Sequence, residues 1–392
     1  MPAASHTVGT APAASDAAAS LREAPLVRLV IRRDGDAVAA AGVLARALRS
    51  IDVPIQVSPT ATADRRTERV DAGDPDAVTV AIGPVPGAAL TLDSAERPAA
   101  VAAVEIATEL GVDPDPTLGL AGVVAAGELP ADAAPALLER AESDGLERKD
   151  GVGLATDDLV DGLTHSTSMH AEFSGDMAAT ADVLAEVGLD ADDRERASDL
   201  TDEQRRAVAS LVAVTATEGP VPQITAEAVE RVLRPHHVAD PVPTLEGYAD
   251  LLSATAVVSP GIAAAHAVGD VGIDAVRSAW REASTATHAA LADADPTRYD
   301  GVAVYEAGDA PPEIVAALAR DARSPEPVAL AIGDDAIAVG TRDDDATAAI
   351  EAVAATAGGD VDVTARYAVV RDPTELETTT ETAIVEAVRE ER

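Results

Sequence analysis

Asp34 and Asp36 are the residues of this chain whose type and spacing best suit chemistry. They flank Gly35 in the run Arg32-Arg33-Asp34-Gly35-Asp36-Ala37. In an extended turn, residues two apart point the same way, so the two carboxylates could share a divalent cation. The same pattern also suits a solvated turn with Asp36 near a helix N-terminus, where capping and the helix dipole favour a carboxylate. Arg32 adds a positive charge beside them and could take part of a metal's place by pairing with Asp34 or Asp36.

Two elements must position this turn. Leu26 to Ile31 is a short β-branched apolar run, which suits a strand covered on both faces. Ala39, Gly42, Val43, Ala45, Ala47 and Leu48 give a helix with small residues on its packing side. The carboxyl end of a strand is where open α/β sheets place their sites. Further strands are expected at Ile55–Val57, Ala77–Ile82 and Ala89–Leu92, with 59 to 76 as polar loop. Helices are expected from about Pro98 to Leu110 and from Thr117 to Ala126. Strands alternating with helices predict an α/β fold with a doubly wound, mainly parallel sheet.

Residues 130 to 235 read as mainly helical, and Thr201 and Asp202 open one helix as caps. Residues 300 to 392 read as a smaller α/β unit, βαββαβα. Its strands fall at Val302–Tyr305, Val328–Ile332 and Ala336–Val339, with one long strand from Val361 to Val370. The expected organisation is a disordered tail at 1–25, an α/β domain with a helical part at 26–240, a helical connector at 241–298 and a C-terminal domain at 299–392.

The chain has 392 residues, 29 Lys and Arg against 69 Asp and Glu, and a formal net charge of −40. Lys149 is the one lysine. This carboxylate load looks like that of a cytosolic protein of an extreme halophile. At molar salt the Debye length is only about 3 Å, so self-repulsion is screened. At low salt, such a charge opposes nucleic-acid binding; at high salt it only removes long-range attraction as a driving force. There is no cysteine, which excludes disulfides, thiolate zinc sites and a cysteine nucleophile. No apolar run reaches the roughly 18 residues of a membrane span. The first 25 residues lack a basic n-region followed by an apolar h-region, so no signal peptide and a cytoplasmic location are expected.

Two other stretches hold chemically capable residues. Leu163 to Asp176 contains His165, His170 and the only Phe, Phe173; its bland reading is a loop ending in a helix cap at Ser174. His236-His237 is the only His-His pair, but adjacent residues rarely aim at one ion. His266 and His288 are expected to pack or face solvent. Neither G-x-G-x-x-G after the first strand nor a G-x-x-x-x-G-K-[ST] loop occurs, which argues against an unrelated nucleotide-binding α/β protein.

The order of these fragments resembles the DHH phosphoesterase superfamily, whose best-known members are RecJ-type single-strand exonucleases. That family opens with a strand, His-x-Asp-x-Asp-Gly and an Ala-rich helix; here Arg32 stands for the His and Ala37 for the Gly. The resemblance implies a metal-binding Asp after the strand at 77–82, where this chain has Gly83-Pro84. It implies Asp-His-His after the strand at 89–92, where this chain has Asp93-Ser94-Ala95. It implies Gly-Asp after the helix at 117–126, where this chain has Gly127-Glu128. Its Ser-rich, Phe-containing loop is similar to 163–176. Its C-terminal DHH-associated domain grips nucleic acid and holds phosphate on a Gly-Gly-Gly-His-like motif, which is Ala357-Gly358-Gly359-Asp360 here. The residual metal ligands so implied are Asp34, Asp36, Asp93 and Glu128, and the residual nucleic-acid contacts are Arg32, Gly358 and Gly359. Such a set could hold one manganese or magnesium ion loosely, whereas the family's two closely spaced ions are not expected. The resemblance points to the archaeal branch that accompanies GINS and the MCM helicase. The expected function is a catalytically decayed scaffold in DNA replication or repair, which could still contact single-stranded nucleic acid. The alternative is a metal-dependent single-strand exonuclease or small-phosphate phosphoesterase.

Overall fold

The structure is a computed structural model. It describes residues 13–85, 88–92, 97–189, 196–217, 224–238, 242–292, 296–341, 346–364, 366–373 and 381–390. The chain begins with helix α1 (Ala14–Arg22), strand β1 (Val27–Ile31), α2 (Gly35–Ser50), β2 (Ile55–Pro59), α3 (Ala63–Asp71), β3 (Val78–Ile82) and β4 (Leu90–Leu92). All five residues of β1 are buried, including Arg28, which donates to Thr79 Oγ1 and to the Arg69 carbonyl. β2, β1, β3 and β4 lie side by side in that order, all parallel. The chain leaves β1 for β2 on one side and returns to β3 on the other. The resulting crevice lies at the carboxyl ends of β1 and β3, where Arg32 to Asp36 and Gly83 sit.

Two expectations fail in this part. Within the tail expected at 1–25, Ala14–Arg22 is a helix that buries Ala17, Ala18 and Leu21 in the core shared with the sheet. Three small or branched apolar residues on one face are enough to dock it. The stretch expected as loop at 59–76 contains α3. Thr62 caps it by accepting from Arg65 N at 3.2 Å. Its sequence, ADRRTERVD, carries one large apolar residue, so no apolar periodicity marks it.

Helices α4 (Ala99–Glu109), α5 (Pro116–Ala125), α6 (Pro130–Ala133) and α7 (Pro135–Ser143) follow, then a two-residue strand β5 (Glu147–Arg148). Next come α8 (Leu159–Thr164), α9 (Met177–Glu186), α10 (Asp202–Ala216) and α11 (Ile224–Val232), with β6 (His236–His237) pairing with β5. Thr201 and Gln204 cap α10 reciprocally. Residues from Val152 to Val232 bury their own cluster around Leu163, Phe173, Val208 and Val212. Of the next three helices, α12 (Leu245–Val258) packs on α2 and α5, α13 (Pro260–Val268) on α2 and β2, and α14 (Ile273–Ala292) on α12 and α13. α13 lies so close to α2 that a Cβ on Gly42 would stand 2.6 Å from the Ala267 carbonyl.

The C-terminal part comprises β7 (Thr297–Tyr299), β8 (Val302–Gly308), α15 (Pro312–Ala322), β9 (Val328–Gly333), β10 (Ala336–Thr341), α16 (Ala346–Ala357), β11 (Asp360–Val363), β12 (Ala368–Arg371) and α17 (Glu381–Glu390). Its six strands run in the order β11-β12-β10-β9-β8-β7, with only β8 and β9 parallel. The α/β class expected from the sequence is thus present: a parallel sheet and a second, C-terminal sheet. The long strand expected from Val361 to Val370 is instead the antiparallel pair β11 and β12. Between them Thr364 builds the turn. Its Oγ1 accepts from Arg366 N at 3.2 Å and Tyr367 N at 3.1 Å, and donates to the Tyr367 carbonyl at 2.8 Å. Among the described residues no helix is long and apolar enough to cross a membrane.

Candidate functional site

The turn after β1 is built from backbone need. Asp34 is extended, with φ −141° and ψ 166°, and caps α2: its Oδ1 accepts from Ala37 N at 2.9 Å. Its other oxygen accepts from Arg32 Nε. Asp36 lies in the first turn of α2, 4% exposed, and turns away to the start of α4. There its Oδ2 accepts from Ala99 N at 2.7 Å and its Oδ1 from Ala100 N at 2.8 Å. α4 needs this, because Pro98 at its N-cap supplies no side-chain acceptor. Asp36 therefore caps a helix 63 residues away, held by two orphan amides and the positive end of the dipole. Burial, and next the charge of Asp34, push its pKa up to about 7 against the opposing pull of those amides and of Arg32.

The C-terminal sheet closes over this edge. Arg66 of α3, fully buried, donates to both carboxylate oxygens of Asp362 on β11, at 3.0 and 2.8 Å. Arg32 Nη1 donates to the Val363 carbonyl at 3.2 Å. The Tyr367 hydroxyl donates to the Arg33 carbonyl at 3.3 Å, and burial first, then Glu313, hold its pKa well above the usual phenol value. Arg371 of β12 pairs with Glu313 of α15, which is 1% exposed. Gly83, at φ +116°, leaves room for this: a Cβ there would stand 3.0 Å from Arg66 Nε.

The expected site residues thus fall as follows. Asp34 caps the first turn of α2 and Asp36 lies within it, but each carboxylate is already engaged. Arg32 is drawn inward, 8% exposed, onto Asp34 and the C-terminal sheet. Glu128 is exposed beyond the end of α5 and its side chain has no hydrogen bond or ion pair among the described residues. Asp93, with Ser94 and Ala95, lies outside the described residues. Gly358 and Gly359, at φ 71° and 101°, make the turn from α16 into β11. The close neighbours of Gly359 are Arg371, Val370 and Pro373, and the contacts to the acidic turn run through Val363 and Tyr367 instead. Arg66, Asp362 and Tyr367 were not legible as site residues, since 296 positions separate Arg66 from Asp362.

This donor set does not fit a pair of divalent ions. A shared cation needs carboxylate lone pairs free to converge. Those of Asp34 meet a guanidinium and an amide, and those of Asp36 meet two amides. The position at Gly83 offers no side chain. Among the described residues no three His, Asp or Glu side chains group so as to hold a metal.

The loop at 163–176 is a second polar cluster, buried against α12 and α14. Asp161 is bound by both arms of Arg281 at 2.8 Å. Asp250 accepts from Thr167 N and Trp280 Nε1, each at 3.0 Å, and from the Thr167 hydroxyl. His288 Nε2 lies 2.9 Å from the Ser166 carbonyl, and its Nδ1 lies 3.0 Å from His170 Nδ1. A carbonyl only accepts, so Nε2 of His288 carries the hydrogen and, in the neutral ring, Nδ1 accepts from His170. Burial lowers both rings, His170 to about 3 and His288 to about 4. The helix cap expected at Ser174 is Asp176, which accepts from Ala178 N and Ala179 N at 2.8 and 3.1 Å; Ser174 instead accepts from Ala171 N. His236 is bound to Glu246 at 2.8 Å, so the His-His pair is not aimed at one point. His266 packs beside Tyr248, whose hydroxyl lies 3.0 Å from its Nε2.

Comparison with known proteins gives both a fold and a family. CDC45 from Entamoeba histolytica has the same fold, with a TM-score of 0.62 over 96% of this chain and 98% of that one, at 9% identity. RecJ from Thermus thermophilus, solved with Mn2+, is similar at a TM-score of 0.49 and 14% identity, over 96% of this chain and 54% of that one. Residues 294–390 match the family model described as the C-terminal domain of uncharacterized protein rrnAC1427. The full-length protein of that name from Haloarcula marismortui is 41% identical over 361 residues, 90% of each chain. At that identity over nine tenths of both chains, this chain belongs to the rrnAC1427 family.

Proposed function

We propose that this protein is a non-catalytic scaffold of the RecJ-like DHH type, acting in DNA replication or repair. One observation carries the reading: at the edge where the fold would do chemistry, both carboxylates serve as helix caps, and the C-terminal sheet is bound down over them. Among the described residues the ions that would supply hydroxide near neutral pH lack ligands, and a phosphate brought there without them would meet engaged carboxylates. The fold shared with CDC45 supports a role as a component of a larger assembly. The partners proposed are replication proteins of the GINS and MCM type, by resemblance. Arg32, Gly358 and Gly359 remain proposed contacts for single-stranded nucleic acid.

The test is release of nucleotides from labelled single-stranded DNA at molar salt with manganese, comparing wild type with Asp34→Ala. No turnover is expected in either. Turnover in the wild type that disappears in Asp34→Ala would overturn the scaffold reading in favour of the exonuclease. In parallel, affinity purification from the native cell at native salt is expected to retain replication proteins; recovery of the chain alone would remove the assembly half of the proposal.

A further inference from the structure

The closed seam contains an arginine without a partner among the described residues. Around Arg33 stand Arg371 with Glu313, Asp362 with Arg66, and the Tyr367 hydroxyl. Each of the two carboxylates is engaged by its own guanidinium. Three guanidiniums therefore face two carboxylates, and the guanidinium of Arg33 forms no ion pair or hydrogen bond among the described residues. Asp36 does not help, since both its oxygens are on the amides of α4. Asp34 is taken by Arg32. Three Nε–H donors at this seam, those of Arg33, Arg66 and Arg371, are buried without an acceptor among the described residues.

Such an arrangement is costly as it stands. Arg33 is half-buried, but its Nε–H is covered; a covered donor left unpaired is destabilising, the more so on a charged group. A lysine could shed its proton, but a guanidinium cannot. Burial, then the like charge of Arg371, act against the charged form of Arg33. The physical remedy that remains is a counter-anion.

We infer that Arg33 and Arg371 bind one small monovalent anion of the halide class at the seam between the two sheets. The charge excess is one, which a halide neutralises and a dianionic phosphate would reverse. The bidentate Arg66–Asp362 pair holds the seam shut, so the ligand has to be small. In a chain of net charge −40, this junction is a place where cationic side chains outnumber their partners.

The test uses the full chain. Crystals grown in molar KBr are expected to show an anomalous bromide peak between Arg33 and Arg371. Thermal unfolding is compared in potassium chloride and potassium glutamate at equal concentration, for wild type, Arg33→Met and Glu313→Gln. The two salts differ in their general effect on stability, so the readout is the gap in Tm between them. Relative to wild type, the chloride side of that gap is expected to shrink in Arg33→Met and to grow in Glu313→Gln, which adds a net positive charge. Should Arg33→Met fail to fold, Arg33→Lys replaces it and is expected to shrink the gap less. Absence of a bromide peak would overturn the inference. So would density placing Arg33 on the Asp93 carboxylate. A bromide peak with the same salt gap in wild type and Arg33 variants would mean an adventitious ion only, and would overturn it as well. Displacement of the peak by inorganic phosphate, with the seam opened, would replace a halide site by a phosphate site.

Discussion

The seam at the end of β1 and the buried loop at 163–176 are both polar clusters, yet they satisfy their groups in opposite ways. At the seam most charges are matched by other charges, Arg66 on Asp362, Arg32 on Asp34 and Arg371 on Glu313, with Arg33 left over among the described residues. In the loop the two stacked histidines are neutral, and Asp250 is held by amide, indole and hydroxyl donors; the ion pair there is Asp161 with Arg281. The seam joins two sheets, so it stabilises their relative placement. The loop ties one segment to α12 and α14 beneath it. The difference separates chemistry from architecture: the place where the sheet topology would put a ligand is a fastening between the two sheets, and the histidine-bearing loop is held mainly by neutral groups.

The largest effect expected from breaking this comparison is at Arg66. Arg66→Met keeps the volume of the side chain but leaves Asp362 buried without a partner. Truncating one member of a buried pair costs about 3–5 kcal/mol, read as a drop in the denaturation midpoint at molar salt. The double variant Arg66→Met with Asp362→Leu should recover much of that loss, because replacing both partners by apolar groups removes the stranded charge. A single-variant loss below about 1 kcal/mol, the range of exposed pairs, would mean that the seam is open in solution.

The loop answers to pH instead. The folded pKa values of His170 and His288, about 3 and about 4, lie below the ordinary value of 6.5. Above pH 6.5 both folded and unfolded rings are neutral, and the stabilisation is fully present. As pH falls below 6.5 the unfolded chain takes up protons that the folded chain refuses, so stability declines down to the folded values. Falling from 6.5 to about 4 and about 3 corresponds to roughly 3 and 5 kcal/mol for independent rings, less for this coupled pair. Denaturation midpoints between pH 7 and 4.5 should fall in the wild type and flatten in His170→Gln with His288→Gln. Identical slopes in both proteins would show that these rings are not buried neutral.

What could be read in advance follows from the range of each interaction. The run Val27–Ile31 and the turn after it are local, and their strand, turn and helix appear where the pattern put them. Thr201 and Gln204 are three residues apart, and their reciprocal cap is likewise a local signal. α3 was hidden because its only large apolar residue is Val70 and what it buries is Arg66. The break between β11 and β12 was hidden because Val361–Val370 contains no Gly or Pro, and one threonine hydroxyl makes the turn. Asp36 read as a candidate ligand because its use is non-local: α4 begins at a proline without a cap of its own. That omission at Pro98 is itself a sequence signal, since a helix without an N-terminal acceptor needs one from elsewhere.

The smallest effect separates the two readings of Asp34. As a helix cap its removal costs the acceptor of Ala37 N, a change typically worth about 1 kcal/mol, and it also releases Arg32 from its carboxylate, leaving the contact with the Val363 carbonyl in the C-terminal sheet. Asp34→Ala should therefore lower the denaturation midpoint slightly, whereas Asp34→Asn and Asp34→Ser, which keep a capping oxygen, should recover most of the loss. A metal ligand would rank these substitutions differently: neutral Asn and Ser are poor replacements for a carboxylate on a divalent ion, and the wild type alone would gain stability from manganese. The measurement is thermal unfolding of the four proteins at molar KCl with and without millimolar manganese. Equal midpoints with and without the ion, ordered by capping ability, are what the geometry of Asp34 Oδ1 on Ala37 N requires. A manganese-dependent rise confined to the wild type would return Asp34 to the role of a ligand and reopen the case for hydrolysis.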